Sequence, residues 1–333
     1  MNEKFKVFIS VPMSFKEYCQ GAIEMLERNG CMVDGNWWVN GALSSDKFLE
    51  RIKDVDACIV GLEKVDREVL MNTPKLKIAC KFGVGLDNFD CEAATERGVV
   101  VANAPIFNCD AVAEFTIGLM LALVRQVVQS HQELKMGGFS AFIGPELLGK
   151  TLGIIGLGNI GKRVARIAIW GLKMKVIAYD IAPDKSFAAQ NGITYDTLDG
   201  VLRESDIVSL HVPLTPVTRG MIGKEELNLM KNSAYLINTA RGAVVKEDDL
   251  YIALKKKKIA GAALDVWSRE PPVGSRLLEL PNVITTTHSA GSTYESCARQ
   301  ARVCAESVIR VLNGRKPPFI VNPDVLNKIT LRD

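Results

Sequence analysis

Three charged side chains in the second half of this 333-residue chain are of the types that proton and hydride transfer require: Arg241 in INTARG, Glu270 in REPP and His288 in TTTHSAG. An imidazole exchanges protons near neutral pH, a carboxylate beside it favours its charged form, and a guanidinium grips a carboxylate in bidentate geometry. The chain has only three histidines, so candidates for an acid/base imidazole are few. His131 falls in a helical stretch, and His211, after a strand in HVPLT, reads as structural beside a cofactor. His288 follows the apolar run 282–287 and precedes a turn of small residues. Its ring is therefore expected at the carboxyl end of a parallel sheet, the edge where α/β proteins bind ligands. Arg241 follows the run 234–238 at the same edge, where a guanidinium calls for an anion. Glu270 stands before Pro271 and Pro272, a stiff segment able to aim it.

A glycine loop precedes these three: Gly156, Leu157, Gly158, Asn159, Ile160 and Gly161, in the G-x-G-x-x-G spacing. The first glycine permits a tight turn, Gly158 lets a pyrophosphate approach the backbone, and Gly161 lets a helix close on a strand. The helix N-terminus then offers unpaired N–H groups to the phosphates. Asp180, nineteen residues after Gly161, ends the next strand, where a carboxylate receives the ribose hydroxyls and repels a 2′-phosphate. With no arginine in YDIAPDK, NAD is expected rather than NADP.

Elements that could hold these residues alternate along the chain. A length of 333 residues predicts two domains. A strand over 6–11 precedes a helix over 15–29, and short apolar runs at 57–61, 77–80 and 99–102 suit buried parallel strands, with a helix over 93–97. Residues 103–105 look like a crossing between domains. One long helix is expected over 111–136, with more apolar surface than one face requires, for use in a subunit interface or a buried domain contact. A strand at Thr151–Ile155 leads through the glycine loop to a helix over 161–170. Later strands are expected over 176–179 and ending at His211, Asn238, Asp265 and Thr285. A last helix covers Tyr294–Leu312, followed by a return strand. Repeated strand-helix units predict an α/β fold with doubly wound parallel sheets.

Composition narrows the function classes. With 47% apolar and 24% charged residues the chain reads as globular, and a net charge of +3 argues against nucleic acid or an acidic membrane as partner. The run Lys255 to Lys258 reads as a solvated helix end whose cations suit the helix dipole. Eight cysteines show no C-x-x-C pair and no metal-ligand spacing, so no metal site is expected and reduced thiols in the cytoplasm are. The N-terminus has no signal-peptide pattern, and the apolar stretch 115–124 is about half of what a bilayer needs.

The runs FGVGLDN (82–88), LGIIGLGNIGKRVA (152–165), INTARG (237–242), AALDVW with EPP (262–272) and THSAGST (287–293) resemble the D-isomer-specific 2-hydroxyacid dehydrogenase family, most closely its phosphoglycerate dehydrogenase branch, over nearly the whole chain. The resemblance implies Arg241, Glu270 and His288 as the catalytic set. It implies Asn159 and Ile160 at the pyrophosphate, Asp180 at the ribose, Thr239, Ala240 and Asp265 towards the nicotinamide, and His288 and Gly291 among the cofactor-binding residues. The N–H groups of Val84 and Gly85 would hold the substrate carboxylate in an anion nest. It further implies a Rossmann NAD domain at 104–290, inserted into a flavodoxin-like substrate domain of 1–103 and 291–333, and a homodimer. Lys81 stands where relatives place an arginine for a substrate phosphate, which puts phosphoglycerate in question. The chain stops at Asp333, before the serine-binding regulatory domain of longer relatives, so feedback control by that route is not expected. The alternative function is a cofactor-sensing corepressor-like scaffold, although those relatives carry longer tails than the roughly twenty residues after Leu312.

Overall fold

A computed structural model describes residues 5–38 and 41–333, and the chain divides into two compact units, Met1–Asn108 with Ser292–Asp333, and Cys109–Gly291. In the first unit the order is β1 (Phe5–Pro12), α1 (Lys16–Arg28), β2 (Cys31–Trp38), α2 (Ser45–Ile52), β3 (Ala57–Val60), α3 (Arg67–Met71), β4 (Ile78–Lys81), α4 (Cys91–Glu96) and β5 (Val100–Ala102). The five strands pair in parallel in the order β2-β1-β3-β4-β5, the flavodoxin-like winding. Alternation along β1 explains the two cores. Val7, Ile9 and Val11 face one layer with Leu26 and Val308, while Phe8 faces the other with Phe48, Ile52 and Leu70. Each such buried side chain contributes about 1.5–3 kcal/mol. Asp66 and Asp90 cap α3 and α4, accepting from the N–H groups of Val69 and Ala93.

The helix Tyr294–Leu312 belongs to this unit and packs on α1, β3, β4 and β5. Beyond it no return strand forms among the described residues, against expectation. The tail makes only isolated bridges, Ala102 with Ile320 and Arg315 with Arg332, and a 3-10 turn at Pro323–Asn327. Pro317, Pro318 and Pro323 have no N–H to give a ladder. Val321 N–H to Val101 O (2.8 Å) and Val101 N–H to Asn322 Oδ1 (2.7 Å) tie the tail to β5 instead.

The second unit runs α5 (Cys109–Val124), α6 (Val127–Lys135), β6 (Thr151–Ile155), α7 (Asn159–Arg166), β7 (Lys175–Tyr179), α8 (Lys185–Asn191), β8 (Thr194–Tyr195), α9 (Leu198–Glu204), β9 (Ile207–Leu210), α10 (Lys224–Leu229), β10 (Tyr235–Asn238), α11 (Glu247–Lys255), β11 (Gly261–Leu264) and β12 (Val283–Thr285); the helix Tyr294–Leu312 is then α12. Its seven strands are all parallel, in the order β12-β11-β10-β9-β6-β7-β8, a Rossmann winding. The two parallel-sheet folds agree with the α/β expectation.

Two helix expectations need correction. The single helix over 111–136 is two, α5 and α6, bent by 62°. Gln126 between them sits at φ 52° and sends its side-chain amide to Ile143 O (2.8 Å), ending the run without proline or glycine. Nor is the apolar surplus of α5 an exposed face. It is absorbed within its own unit, against α7, β10, β11 and β12. The helix expected over 161–170 begins earlier, at Asn159, and ends in a π turn over Ile167–Gly171. Among the described residues no single helix is long and apolar enough to cross a membrane.

Candidate active site

The carboxyl edge of the seven-stranded sheet carries the sequence-selected residues of the second unit. Gly156 turns at φ 96° after β6, and a Cβ there would lie 2.8 Å from the His211 carbonyl carbon. A Cβ on Gly161 would meet Gly156 O at 2.2 Å, so only glycine lets α7 close on the loop. Gly158, the residue before α7, is different: nothing lies within 4 Å of its would-be Cβ. That open cradle, next to Asn159 and Ile160 in the first turn of α7, fits a pyrophosphate. Asp180 follows β7 and reaches back to the loop, accepting from Leu157 N–H (2.8 Å) through Oδ2 and from Ala182 N–H (2.8 Å) through Oδ1. The residues present therefore fit a dinucleotide.

His211 follows β9 beside this loop. Its Nε2 meets Ser209 Oγ at 2.9 Å, and Nδ1 is buried with no partner among the described residues. Burial lowers its pKa to about 3, so the ring is neutral at physiological pH, consistent with a structural role.

His288 and Glu270 are joined directly. Nδ1 of the imidazole lies 2.8 Å from Glu270 Oε2, while Glu270 Oε1 accepts from Trp267 N–H (3.1 Å). Burial pushes the Glu270 carboxyl up. The bond to His288, the His288 charge, the Trp267 N–H and the Arg241 charge outweigh burial and hold it below the usual value. With Nδ1 committed to the carboxylate, Nε2 is the nitrogen left to exchange a proton.

His288 adopts φ 55°, a left-handed conformation costing a β-carbon residue about 1–3 kcal/mol. The fully buried Asp265, just after β11, offsets that strain. Its backbone carbonyl accepts from His288 N–H (2.8 Å), Oδ1 from Ser289 N–H (2.8 Å) and Thr286 Oγ1 (2.6 Å), and Oδ2 from Ala290 N–H (2.9 Å). The carboxylate that sequence reasoning directed to the nicotinamide thus has three of its bonds in the turn that aims His288, which ends at Gly291. Arg241 follows β10 and sends Nη1 to Ala240 O (2.7 Å). Asn238, at the end of that strand, brackets the bend by donating to Arg241 O and accepting from Ala240 N–H, both at 3.0 Å. Thr239 meets Thr116 of α5, Oγ to Oγ, at 2.9 Å. Sequence reasoning missed the roles of Asn238 and Trp267, although an asparagine closing an apolar run before an arginine was visible in INTARG.

Lys81, Val84 and Gly85 belong to the first unit. Lys81 ends β4 and is nearly buried, its ammonium donating to Gly61 O and to Asn88 Oδ1 (3.0 Å). Gly83 turns at φ 133°, and Asn103 Nδ2 holds Val84 O at 2.9 Å, so Val84 and Gly85 sit in a braced glycine turn.

The family model described as D-isomer specific 2-hydroxyacid dehydrogenase, NAD binding domain, matches residues 117–290. A D-3-phosphoglycerate dehydrogenase of Methanocaldococcus jannaschii is 41% identical over 321 residues, 95% of this chain and 59% of that protein. A glyoxylate reductase of Korarchaeum cryptofilum is 41% identical over 298 residues, 87% of this chain and 90% of its own. Among solved structures, the TT0316 protein of Thermus thermophilus matches with TM-score 0.86 and 33% identity, covering 95% of this chain and 100% of that one. An NAD-complexed D-isomer specific 2-hydroxyacid dehydrogenase of Lactobacillus delbrueckii matches with TM-score 0.73 and 30% identity over 95% of this chain and 100% of its own. A Rossmann unit with a dinucleotide cradle and an imidazole-carboxylate pair on the same sheet edge defines an NAD-dependent oxidoreductase acting on CH–OH groups. The chain belongs to the D-isomer specific 2-hydroxyacid dehydrogenase family. Relatives named as dehydrogenases and reductases do not favour the sensing-scaffold alternative.

Proposed function

We propose that this chain reduces the C2 carbonyl of a small 2-keto acid to a D-2-hydroxy acid, and runs the reverse oxidation, with Arg241, Glu270 and His288 as its catalytic residues. The observation that carries the proposal is the 2.8 Å contact between His288 and Glu270 on the sheet edge that also bears the glycine loop. NADH, when bound, supplies the hydride that C2 accepts. His288 Nε2 gives its proton to the carbonyl oxygen as negative charge develops there, a form of help typically worth about a hundredfold to ten-thousandfold. Glu270 holds the Nδ1 proton and stabilises the imidazolium. Arg241 orients the substrate carboxylate and stabilises the developing oxyanion; in the first unit Lys81, Val84 and Gly85 are the substrate-binding residues. Gly156, Gly158, Asn159, Ile160 and Gly161 receive the pyrophosphate, Asp180 the adenosine ribose, and Thr239, Ala240, Asp265, His288 and Gly291 border the nicotinamide. Asp180 favours NAD over NADP.

NADH oxidation measured against hydroxypyruvate, its 3-phosphate, glyoxylate, pyruvate, 2-oxoglutarate and sulfopyruvate tests the reading. Turnover of at least one of them is expected, and silence across the panel with NADH demonstrably bound would overturn it.

The assembly is proposed to be a homodimer. Leu134, Met136, Phe139, Ile143 and Leu148 are exposed on and after α6, with Phe139 at 98% of its full accessibility, a run that a second copy would cover. Eight free thiols, seven of them buried, suit a reducing cytoplasm.

A further inference from the structure

The first unit holds a buried polar cluster that the proposed chemistry does not use. Glu63, 1% exposed, follows β3 and accepts a hydrogen bond from the hydroxyl of the fully buried Ser10 through Oε1. Asn36 Nδ2 donates to that same Ser10 oxygen at 3.1 Å. The second carboxylate oxygen of Glu63, Oε2, is out of solvent with no partner among the described residues. Asn88 knits the cluster, its side chain accepting from Lys81 Nζ and donating to the carbonyls of Gly61 and Glu63. Burial raises the Glu63 carboxyl above its usual value, a rise that the Ser10 bond, the N–H groups of Glu63 and Leu43 and the Lys81 charge reduce without cancelling. Lys81 also runs beside the glycine turn, with Cε 3.6 Å from where a Gly83 Cβ would stand. The cation nearest in sequence to the proposed carboxylate nest is thus held in a cluster with a buried acid.

A site for a phosphate ester needs cationic donors directed at the ligand, and an arginine fork serves best. Here the ammonium is turned to a carbonyl and an amide oxygen, and its charge is offset by Glu63. Glu63 is buried and would not touch a phosphate dianion; the dianion would find instead a Lys81 ammonium already held by Gly61 and Asn88 beside a buried acid, and a like charge behind the cation is an element of rejection. We propose that Glu63 is a specificity-determining residue that turns the Lys81 corner against phosphorylated 2-keto acids and towards uncharged tails. The inference rests on the 2-keto acid reading above. Glu63 acts through the charge of Lys81 and is a positioning residue.

The test compares the wild type with Glu63→Gln and Glu63→Asp, using hydroxypyruvate, 3-phosphohydroxypyruvate and, with NAD+ bound, a calorimetric titration with inorganic phosphate. The wild type is expected to favour hydroxypyruvate about a hundredfold in kcat/KM and to bind no phosphate in the millimolar range. In Glu63→Gln the preference narrows about tenfold or more through the KM of the phosphorylated acid, with kcat little changed, and phosphate binding becomes measurable. Glu63→Asp, which keeps the charge, restores the wild-type pattern. A wild type that turns over both acids equally, or a glutamine variant that binds NADH yet loses both substrates alike, overturns the proposal. If the glutamine variant does not fold, the wild-type preference and phosphate titration decide in the same way. If the wild type turns over no 2-keto acid, the functional reading fails. The titration still decides the role of Glu63: phosphate binding to the glutamine variant alone upholds it, and any other pattern overturns it.

Discussion

At the scale of single residues, the site is an imidazole held at three points. Glu270 takes Nδ1, the Asp265 carbonyl takes the backbone N–H, and the Asp265 carboxylate pins the two residues that follow. His288→Ala leaves the glycine loop untouched, so NADH affinity should stay within about twofold while turnover falls at least about a hundredfold, as expected on losing a general acid. A variant that keeps most of its turnover would remove His288 from the role assigned to it. Glu270 gives a pH signature of its own. Its folded-state pKa is depressed, so the stability it contributes is present above the ordinary glutamate value of about 4.3 and is lost as pH falls through the folded value. Calorimetric melting of wild type and Glu270→Gln should therefore show the wild type ahead at pH ~6 and the gap closing towards pH ~3. A gap independent of pH over that window would mean that the carboxylate gains nothing from its partners.

At the scale of elements, two glycines of one loop make opposite predictions. A methyl at Gly161 meets the Gly156 carbonyl oxygen at 2.2 Å, so Gly161→Ala forces α7 away from β6 and should cost about 1–3 kcal/mol or more of stability, read by denaturant unfolding. A methyl at Gly158 meets nothing within 4 Å. Gly158→Ala should unfold within about 0.5 kcal/mol of wild type and yet bind NADH about tenfold or more weakly, because the methyl stands where the pyrophosphate would lie. Unaltered NADH affinity would move the cofactor away from this cradle. This loop was legible in sequence because backbone geometry dictates its residue types, and so were most strands of both sheets, which are short, largely apolar runs; β2, with Asp34, Gly35 and Asn36 at its middle, and the two-residue β8 were not. The break at Gln126 was not, since nothing in VRQVV marks a left-handed residue and the bond that fixes it comes from the distant Ile143 carbonyl. The role of Asp265 was only half legible: its place after β11 followed from the strand pattern, but the turn it holds is built by Thr286, Ser289 and Ala290, a tertiary arrangement that spacing cannot reveal. Glu63 passed unnoticed for the same reason, because its partners Ser10 and Lys81 come from different strands.

At the scale of the whole molecule, the apolar side chains that remain exposed bear on assembly. α5, the helix whose apolar excess suggested an interface, spends that excess inside the second unit. A group of exposed apolar residues lies instead on α6 and the segment after it, which folds back on the helix through Ser140 Oγ to Glu133 (2.6 Å) and Gln126 to Ile143 O (2.8 Å). Met136, Phe139 and Ile143 are 79%, 98% and 89% exposed, and a lone copy would leave all three in water. Each contributes up to about 1.5–3 kcal/mol when buried, so covering Leu134, Met136, Phe139, Ile143 and Leu148 on two copies supplies a gain of the same order as the roughly 4–15 kcal/mol that association costs. Sedimentation of the wild type at micromolar concentration should then give a dimer. The double substitution Phe139→Glu with Ile143→Glu should give a monomer that still binds NADH, since neither side chain touches the glycine loop or the His288–Glu270 pair. A wild type that sediments as a monomer throughout this range would sink the dimer. A double variant that stays dimeric would move the interface off this segment.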